Sequence, residues 1–304
     1  MSKHHVETRK IYERQHARLA ADQAAKKRIY GIYETNTLGL KAGWFAGKEA
    51  LDAGCGNVGA LVVRLAKLGV KRVHAVDIGA EWIPKMRDSL KKSGVPVGKY
   101  ELKPGSVLDL PYGDGRFDFV AINGVLIHLQ NIPEIMRGFS EGARVVKKGG
   151  YYFTSYGPCG GLIQGAIFPA IRRYYRENGE FKAFIDKISP ETIHAAIDKI
   201  CADSLTHAGE AFDAAFLKGL FGVDFCVFLQ NYIQAPTWLS NECTPEFVEE
   251  LYKAHGFSDV RRLNHFSKRS DVRKFFAPLH YDRDYPLARV LYGQGYVQYV
   301  GRKG

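Results

Sequence analysis

Apolar residues recur along this chain in two rhythms, and their alternation predicts a layered α/β molecule. A short strand at Ala50-Leu51 comes first, and Leu61, Val62, Leu65 and Leu68 follow at helical spacing until Gly69 stops that helix. Arg72 to Asp77 is β-branched and apolar, which predicts a strand. Ala80 to Lys92 reads as a helix closed by Gly94-Val95-Pro96. Tyr100 to Val107 reads as a strand broken by Pro104 and Gly105, and Phe117 to Ile122 as a buried strand. Pro133 to Val146 reads as a helix stopped by Lys147-Lys148-Gly149-Gly150, and Tyr151 to Tyr156 as the next strand. Such alternation implies a parallel sheet with helices on both faces. Right-handed crossovers then put all the strand-to-helix turns along one edge.

The flanks differ. Residues 5–28 are charged, alanine-rich and free of breakers, which predicts a helix laid over another surface. Residues 29–47 read as an ordered loop. After Gly157 the alternation ends, and residues 158–242 give helical segments rich in aromatics, among them Phe168, Tyr174, Tyr175, Phe181 and Phe184. Thr244-Pro245-Glu246 starts a helix running to His255, with Thr as N-cap and Pro at the first position. A strand at Val260 to Phe266, a basic insertion over 267–292 and a last strand at Tyr296 to Val300 complete the chain. The division expected is a helix and covering segment (1–47), a core (48–157 and 243–304) and a helical lid (158–242).

Composition narrows the class. At 304 residues and 46% hydrophobic, the chain suits one α/β domain with a large insertion. The net charge of +11 is spread without a run resembling a nucleic-acid-binding arm. Five cysteines, odd in number and with no CxxC pair, argue against a disulfide framework or zinc site, and no metal is expected. No apolar stretch is long enough to span a bilayer, and no apolar leader is seen. The expectation is a cytoplasmic protein without a membrane partner; a homodimer stays open.

The chemistry concentrates in Leu51-Asp52-Ala53-Gly54-Cys55-Gly56-Asn57-Val58-Gly59, a strand running into a glycine-rich turn, with Asp77 ending the next strand. Glycine removes the side chain that would hold a ligand off the backbone and tolerates the turn's dihedrals. An acid at the end of the second strand suits both hydroxyls of a ribose. Together they predict a nucleoside-containing cofactor across the ends of the sheet.

With these motifs in order, the chain resembles class I S-adenosylmethionine-dependent methyltransferases, especially those acting on small molecules. The likeness covers about 48–156 and 244–304 and implies a doubly wound, seven-stranded, mostly parallel sheet with its last strand antiparallel. It places Asp52, Gly54, Cys55 and Gly56 around the methionine part of S-adenosylmethionine, Asp77 on the ribose and Ile78 against the adenine. It also places Ser106 and Val107 along the adenine edge and Asn123 by the cofactor's amino group. Tyr33 would lie in a segment folded over the cofactor's carboxylate. Val58 stands where the family's third glycine usually sits. A nicotinamide fingerprint is formally met by Gly54, Gly56 and Gly59, but the Ser106-to-Pro111 segment and the closing strand pair favour methyl transfer.

Methyl transfer from a sulfonium is an in-line displacement, so the protein chiefly orients the reactants and excludes water. The helical insertion is expected to form a lid after the fifth strand. His128 and Tyr156, both on the functional edge, are the catalytic candidates. Arg172 and Arg173 would bind an anionic acceptor, with Trp238 and Asn241 where the lid returns. The acceptor expected is a small molecule with an oxygen, nitrogen or sulfur nucleophile. The alternative is an RNA or protein substrate drawn to the basic stretch at Lys268, Arg269, Arg273 and Lys274.

Overall fold

The computed structural model describes residues 3–21, 33–56, 59–207, 213–220, 223–263, 279–281, 283 and 285–304. Seven strands form one sheet in the order β3-β2-β1-β4-β5-β7-β6. They are β1 (Glu49–Ala53), β2 (Arg72–Asp77), β3 (Tyr100–Pro104), β4 (Phe117–Asn123), β5 (Val146–Cys159), β6 (Phe257–Arg262) and β7 (Gly295–Lys303). β7 runs antiparallel to both β5 and β6, and the other neighbours pair in parallel. The expected doubly wound sheet is therefore present.

Successive residues explain why both faces are covered. Ala50 belongs to one core with Val62, Leu65, Phe119 and Phe153, while Leu51 belongs to the other with Phe139, Tyr152 and Tyr252. A strand buried on both faces reads as a continuous apolar run, which is how β4 was legible. The order reverses between β1 and β4. That switch point opens a crevice at the strand ends, where ligands of such sheets bind.

The helices of the described residues, in chain order, are α1 (Lys3–Ala21), α2 (Ala60–Lys67), α3 (Trp82–Lys92), α4 (Ile132–Val145), α5 (Phe168–Glu177), α6 (Gly179–Lys187), α7 (Pro190–His207), α8 (Ala214–Leu220), α9 (Val223–Gln234), α10 (Pro245–Ala254) and α11 (Pro286–Tyr292). A π-helical turn, Ile163–Ile167, leads into α5. Phe168, Ile185, Ile188, Tyr232 and Ile233 form a third, separate cluster within the insertion.

Several boundaries differ from expectation for identifiable reasons. Lys147 to Gly150 lie inside β5 instead of ending a helix, and the β4–β5 register shifts between Phe117 and Phe119. A Cβ on Gly150 would stand 2.8 Å from the Asp118 carbonyl oxygen, so the glycine permits close strand pairing there. β3 ends at Pro104, and Ser106 to Asp109 forms a turn in which Leu108 N–H donates to Ser106 Oγ at 3.1 Å. β6 starts at Phe257, with a register shift and a positive φ at Asp259. Residues 22–28 of the expected first helix, Val58, residues 264–266 of the expected strand and the basic group Lys268, Arg269, Arg273 and Lys274 lie outside the described residues.

Candidate functional site

A cavity opens at the switch point, between the ends of β1, β2 and β4 and the helix α1. Its floor is the glycine turn. Gly54 sits at φ +81, and a Cβ there would collide with the Val125 side chain. Gly54 and Cys55 N–H both donate to the Val76 carbonyl, at 2.7 and 3.1 Å, which ties the turn to β2.

Asp77 braces the same turn. Its Oδ2 accepts from Gly56 N–H at 2.6 Å and its Oδ1 from Ile78 N–H at 2.7 Å. Burial raises the Asp77 pKa, the two backbone donors and Arg9 oppose that, and Glu13 adds to it. Asp52 lies beneath, 5% exposed. Burial first, then the Asp77 charge, pushes its pKa up to about 8.

Opposite the turn, α1 presents His5, Thr8, Arg9, Tyr12 and Glu13 to the cavity. Their spacing puts them on one helical face. Several side-chain hydrogen bonds pin the helix. Arg9 donates to Glu81 Oε2 at 2.8 Å. His4 Nε2 meets the His128 carbonyl at 2.8 Å. Arg14 donates to Gln234 Oε1 of α9 at 2.8 Å.

His128 stands at the far wall, 8% exposed, in a short 3-10 turn after β4. The next helix fixes this turn: Asn131 accepts from Glu134 N–H at 2.9 Å while Glu134 accepts from Gln130 N–H at 3.0 Å. Asn131 is the N-cap of this helix, and a cap of this kind contributes about 1 kcal/mol. The His128 Nδ1 faces the Thr237 carbonyl at 3.3 Å, so it carries the proton. Nε2 then accepts from the Tyr12 hydroxyl at 2.6 Å.

The cavity brings together Gly54, Gly56, Asp77, Ile78, Ser106, Val107, Asn123 and His128 of the expected residues. Other expected residues stand elsewhere. Tyr33 is buried behind the turn, hydrogen-bonded to the Asn123 side chain and edge-on to Phe153. Cys55 points its thiol at the Gly56 carbonyl at 3.4 Å. Tyr156 is fully buried in the core with Tyr252 and Cys243. Arg172 donates to the Tyr232 and Ala235 carbonyls at the end of α9, and Arg173 is exposed. Asn241 ties Gly160 N–H to the Gln164 carbonyl, and Trp238 packs edge-on to His128 at 5.2 Å. Among the described residues of 158–242, none lines the cavity. The roof that was expected of the insertion is made by α1.

The residues that sequence reasoning missed are those on α1, together with Trp82. Trp82 donates its indole N–H to the Gly79 carbonyl at 3.0 Å, holding the turn after Asp77. The polar face at positions 5, 8, 9, 12 and 13 was the available signal.

Residues 51–154 match the family described as "Methyltransferase domain". The chain is 30% identical over 105 residues to demethylmenaquinone methyltransferase of Bacillus mycoides, covering 34% of this chain and 42% of that one. With its counterpart in Bacillus velezensis the identity is 32% over 107 residues, covering 34% and 43%. The chain thus spans about two-fifths of the length of these curated relatives. A Nostoc punctiforme structure, provisionally described as an O-methyltransferase, superposes with a TM-score of 0.51 at 11% identity, covering 93% of this chain and 59% of that one. That likeness concerns the fold. Residues 51–154 thus carry a methyltransferase domain, of the class I S-adenosylmethionine-dependent kind.

The cofactor of this methyltransferase domain is S-adenosylmethionine, and the site suits it. Each Asp77 oxygen accepts one backbone N–H. A carboxylate oxygen takes two donors, so capacity remains for ribose hydroxyls. The side-chain-free bend at Gly54 and Gly56 admits close approach of the methionine part, and Ile78, Trp82 and Val107 supply apolar walls.

Proposed function

We propose that this methyltransferase domain transfers a methyl group to the hydroxyl oxygen of a small molecule held between α1 and the turn after β4. The observation that carries this reading is the Tyr12–His128 hydrogen bond at the cavity wall, 2.6 Å long. When bound, S-adenosylmethionine supplies a methyl group on a sulfonium whose sulfur leaves as a neutral thioether.

The side chains have these roles. Asp77 would hold the ribose, Ile78, Ser106 and Val107 the adenine, and Gly54, Gly56 and Asn123 the methionine part. Tyr12, which lines the cavity, would meet the acceptor oxygen. Burial raises its phenol pKa well above the ordinary value, so the phenol is neutral and donates to His128. As the acceptor oxygen attacks, its proton passes to the Tyr12 oxygen, and Tyr12 passes its own to His128 Nε2. The imidazolium then rests its Nδ1–H on the Thr237 carbonyl. The relatives' name indicates demethylmenaquinone as their acceptor. The likeness to them spans 34% of this chain, and the acceptor follows from the cavity.

Tyr12→Phe and His128→Gln test the reading. General acid–base assistance is worth roughly 100- to 10,000-fold. Both variants should bind S-adenosylmethionine within about twofold of wild type by calorimetry yet lose turnover on that scale. Labelled cofactor and a metabolite extract provide the assay, with product mass identifying the acceptor. Undiminished turnover in both variants, or a product methylated at nitrogen or sulfur, would remove the proton relay.

A further inference from the structure

The insertion turns an apolar strip outward. From Gly157 to Ile171 there is no charged residue, and Arg172, Arg173 and Arg176 follow before the first acid, Glu177. Within this run Leu162 is 48% and Ile167 43% exposed, and Tyr174 of α5 is 51% exposed. Ile167, Ala170 and Tyr174 lie three and four positions apart, so they share the outer face of one continuous helical run. The inner face carries Phe168, Ile171 and Tyr175 into the insertion's own cluster.

A second segment extends the strip. Glycines 161 and 293 touch backbone to backbone, since a Cβ on either would collide with the other. This seats α11 beside the π-helical turn. α11 buries Ala288 and Tyr292 and leaves Leu287 and Val290 at 56% and 62% exposure. Its single charged residue is Arg289, also exposed. Across Gly157 to Arg176 and Tyr285 to Tyr292, every charge is therefore an arginine.

An exposed apolar strip edged by Arg173 and Arg289, with Arg172 and Arg176 turned to the carbonyls of Tyr232, Ala235 and Pro236, and carrying an interfacial tyrosine, matches a surface that lies in the headgroup region of a bilayer. A stable protein interface would pair its arginines with acids; an anionic lipid surface pairs them with phosphate, and the net charge of +11 adds long-range attraction. We propose that the face formed by residues 162–174 and α11 docks on an anionic lipid bilayer. The sequence expectation of no membrane partner rested on the lack of a spanning segment, and no described helix is long and apolar enough to cross. Docking on the surface needs none. It would also orient the cavity, because Phe168 on the inner side of the same helix packs on Tyr232, Tyr232 on Trp238 and Trp238 on His128.

Vesicle sedimentation tests this without any assay of methyl transfer. The full chain is mixed with vesicles of phosphatidylcholine alone or of phosphatidylcholine with phosphatidylglycerol. Wild type should partition onto the anionic vesicles about tenfold better than onto the neutral ones. Ile167→Asp with Leu287→Asp should lower that partition about tenfold, and Arg173→Glu should lower it severalfold while leaving the thermal melt unchanged. Should the double variant fail to fold, Leu287→Ser alone, at an exposed position, should still weaken binding measurably. The proposal is overturned by wild type that binds neither vesicle, by folded variants that bind as well as wild type, or by wild type that self-associates through this face and ignores both vesicles.

Discussion

Asp77 serves the fold and the site with the same two oxygens. It closes the glycine turn by accepting from Gly56 and Ile78, and its remaining lone pairs face the cavity. The price of that arrangement is the carboxyl buried beside it. With a folded pKa near 8 against an ordinary value of 3.8, Asp52 keeps a proton in the native state that the unfolded chain releases. Between those values the native state binds more protons, so stability falls as pH rises. The melting temperature of the apoprotein should drop from about pH 5 to pH 8, and Asp52→Asn should flatten that slope and melt higher at the alkaline end. A slope unchanged in Asp52→Asn would assign the dependence elsewhere. Gly54→Ala should abolish cofactor binding, since the added methyl meets Val125 and the φ of +81 strains any L side chain; calorimetry with wild-type affinity would contradict this. These residues were legible in the sequence because a turn, its glycines and the following strand's acid are neighbours in the chain. Tyr12 was not, because its partner His128 lies 116 positions away. A polar helical face does not say what it covers.

At the scale of elements, α1 completes the cavity. It supplies the side of the pocket facing the glycine turn, and its anchors reach Glu81, the His128 turn and α9. Removing residues 1–21 should weaken cofactor affinity by at least about tenfold, given several lost contacts of roughly 1 kcal/mol each, and should end turnover. Retained affinity and turnover in the truncated chain would show that the helix is dispensable. The insertion takes a supporting part: it carries α9, against which α1 packs, and the Thr237 that orients His128. Sequence reasoning gave the insertion the roof because methyl transfer calls for excluding water and the insertion leaves the functional edge after the fifth strand. Phe168, Ile185 and Tyr232 pack against one another as the insertion's own core. The Lys147-Lys148-Gly149-Gly150 run illustrates a second limit. Glycines next to basic residues suit a helix end, yet a register shift accommodates them within β5.

For the whole molecule, the parallel strands follow from the alternation of apolar runs and the antiparallel final strand from the family resemblance, and the observed strand order places the glycine turn, Asp77 and Asn123 around one crevice. The charge of +11 does not by itself mark a nucleic-acid partner. A substrate held in the cavity predicts turnover that changes less than about twofold between low and moderate salt; a loss of several powers of ten would instead follow from phosphate neutralisation. The central claim is that the glycine turn and Asp77 hold S-adenosylmethionine. Calorimetric titration of the cofactor into wild type and Asp77→Ala tests it directly. Wild type should bind one cofactor per chain, and the variant, lacking two hydrogen bonds to a charged acceptor, should bind roughly 100-fold or more weakly. Equal affinity in both proteins, or no heat with wild type, would contradict it.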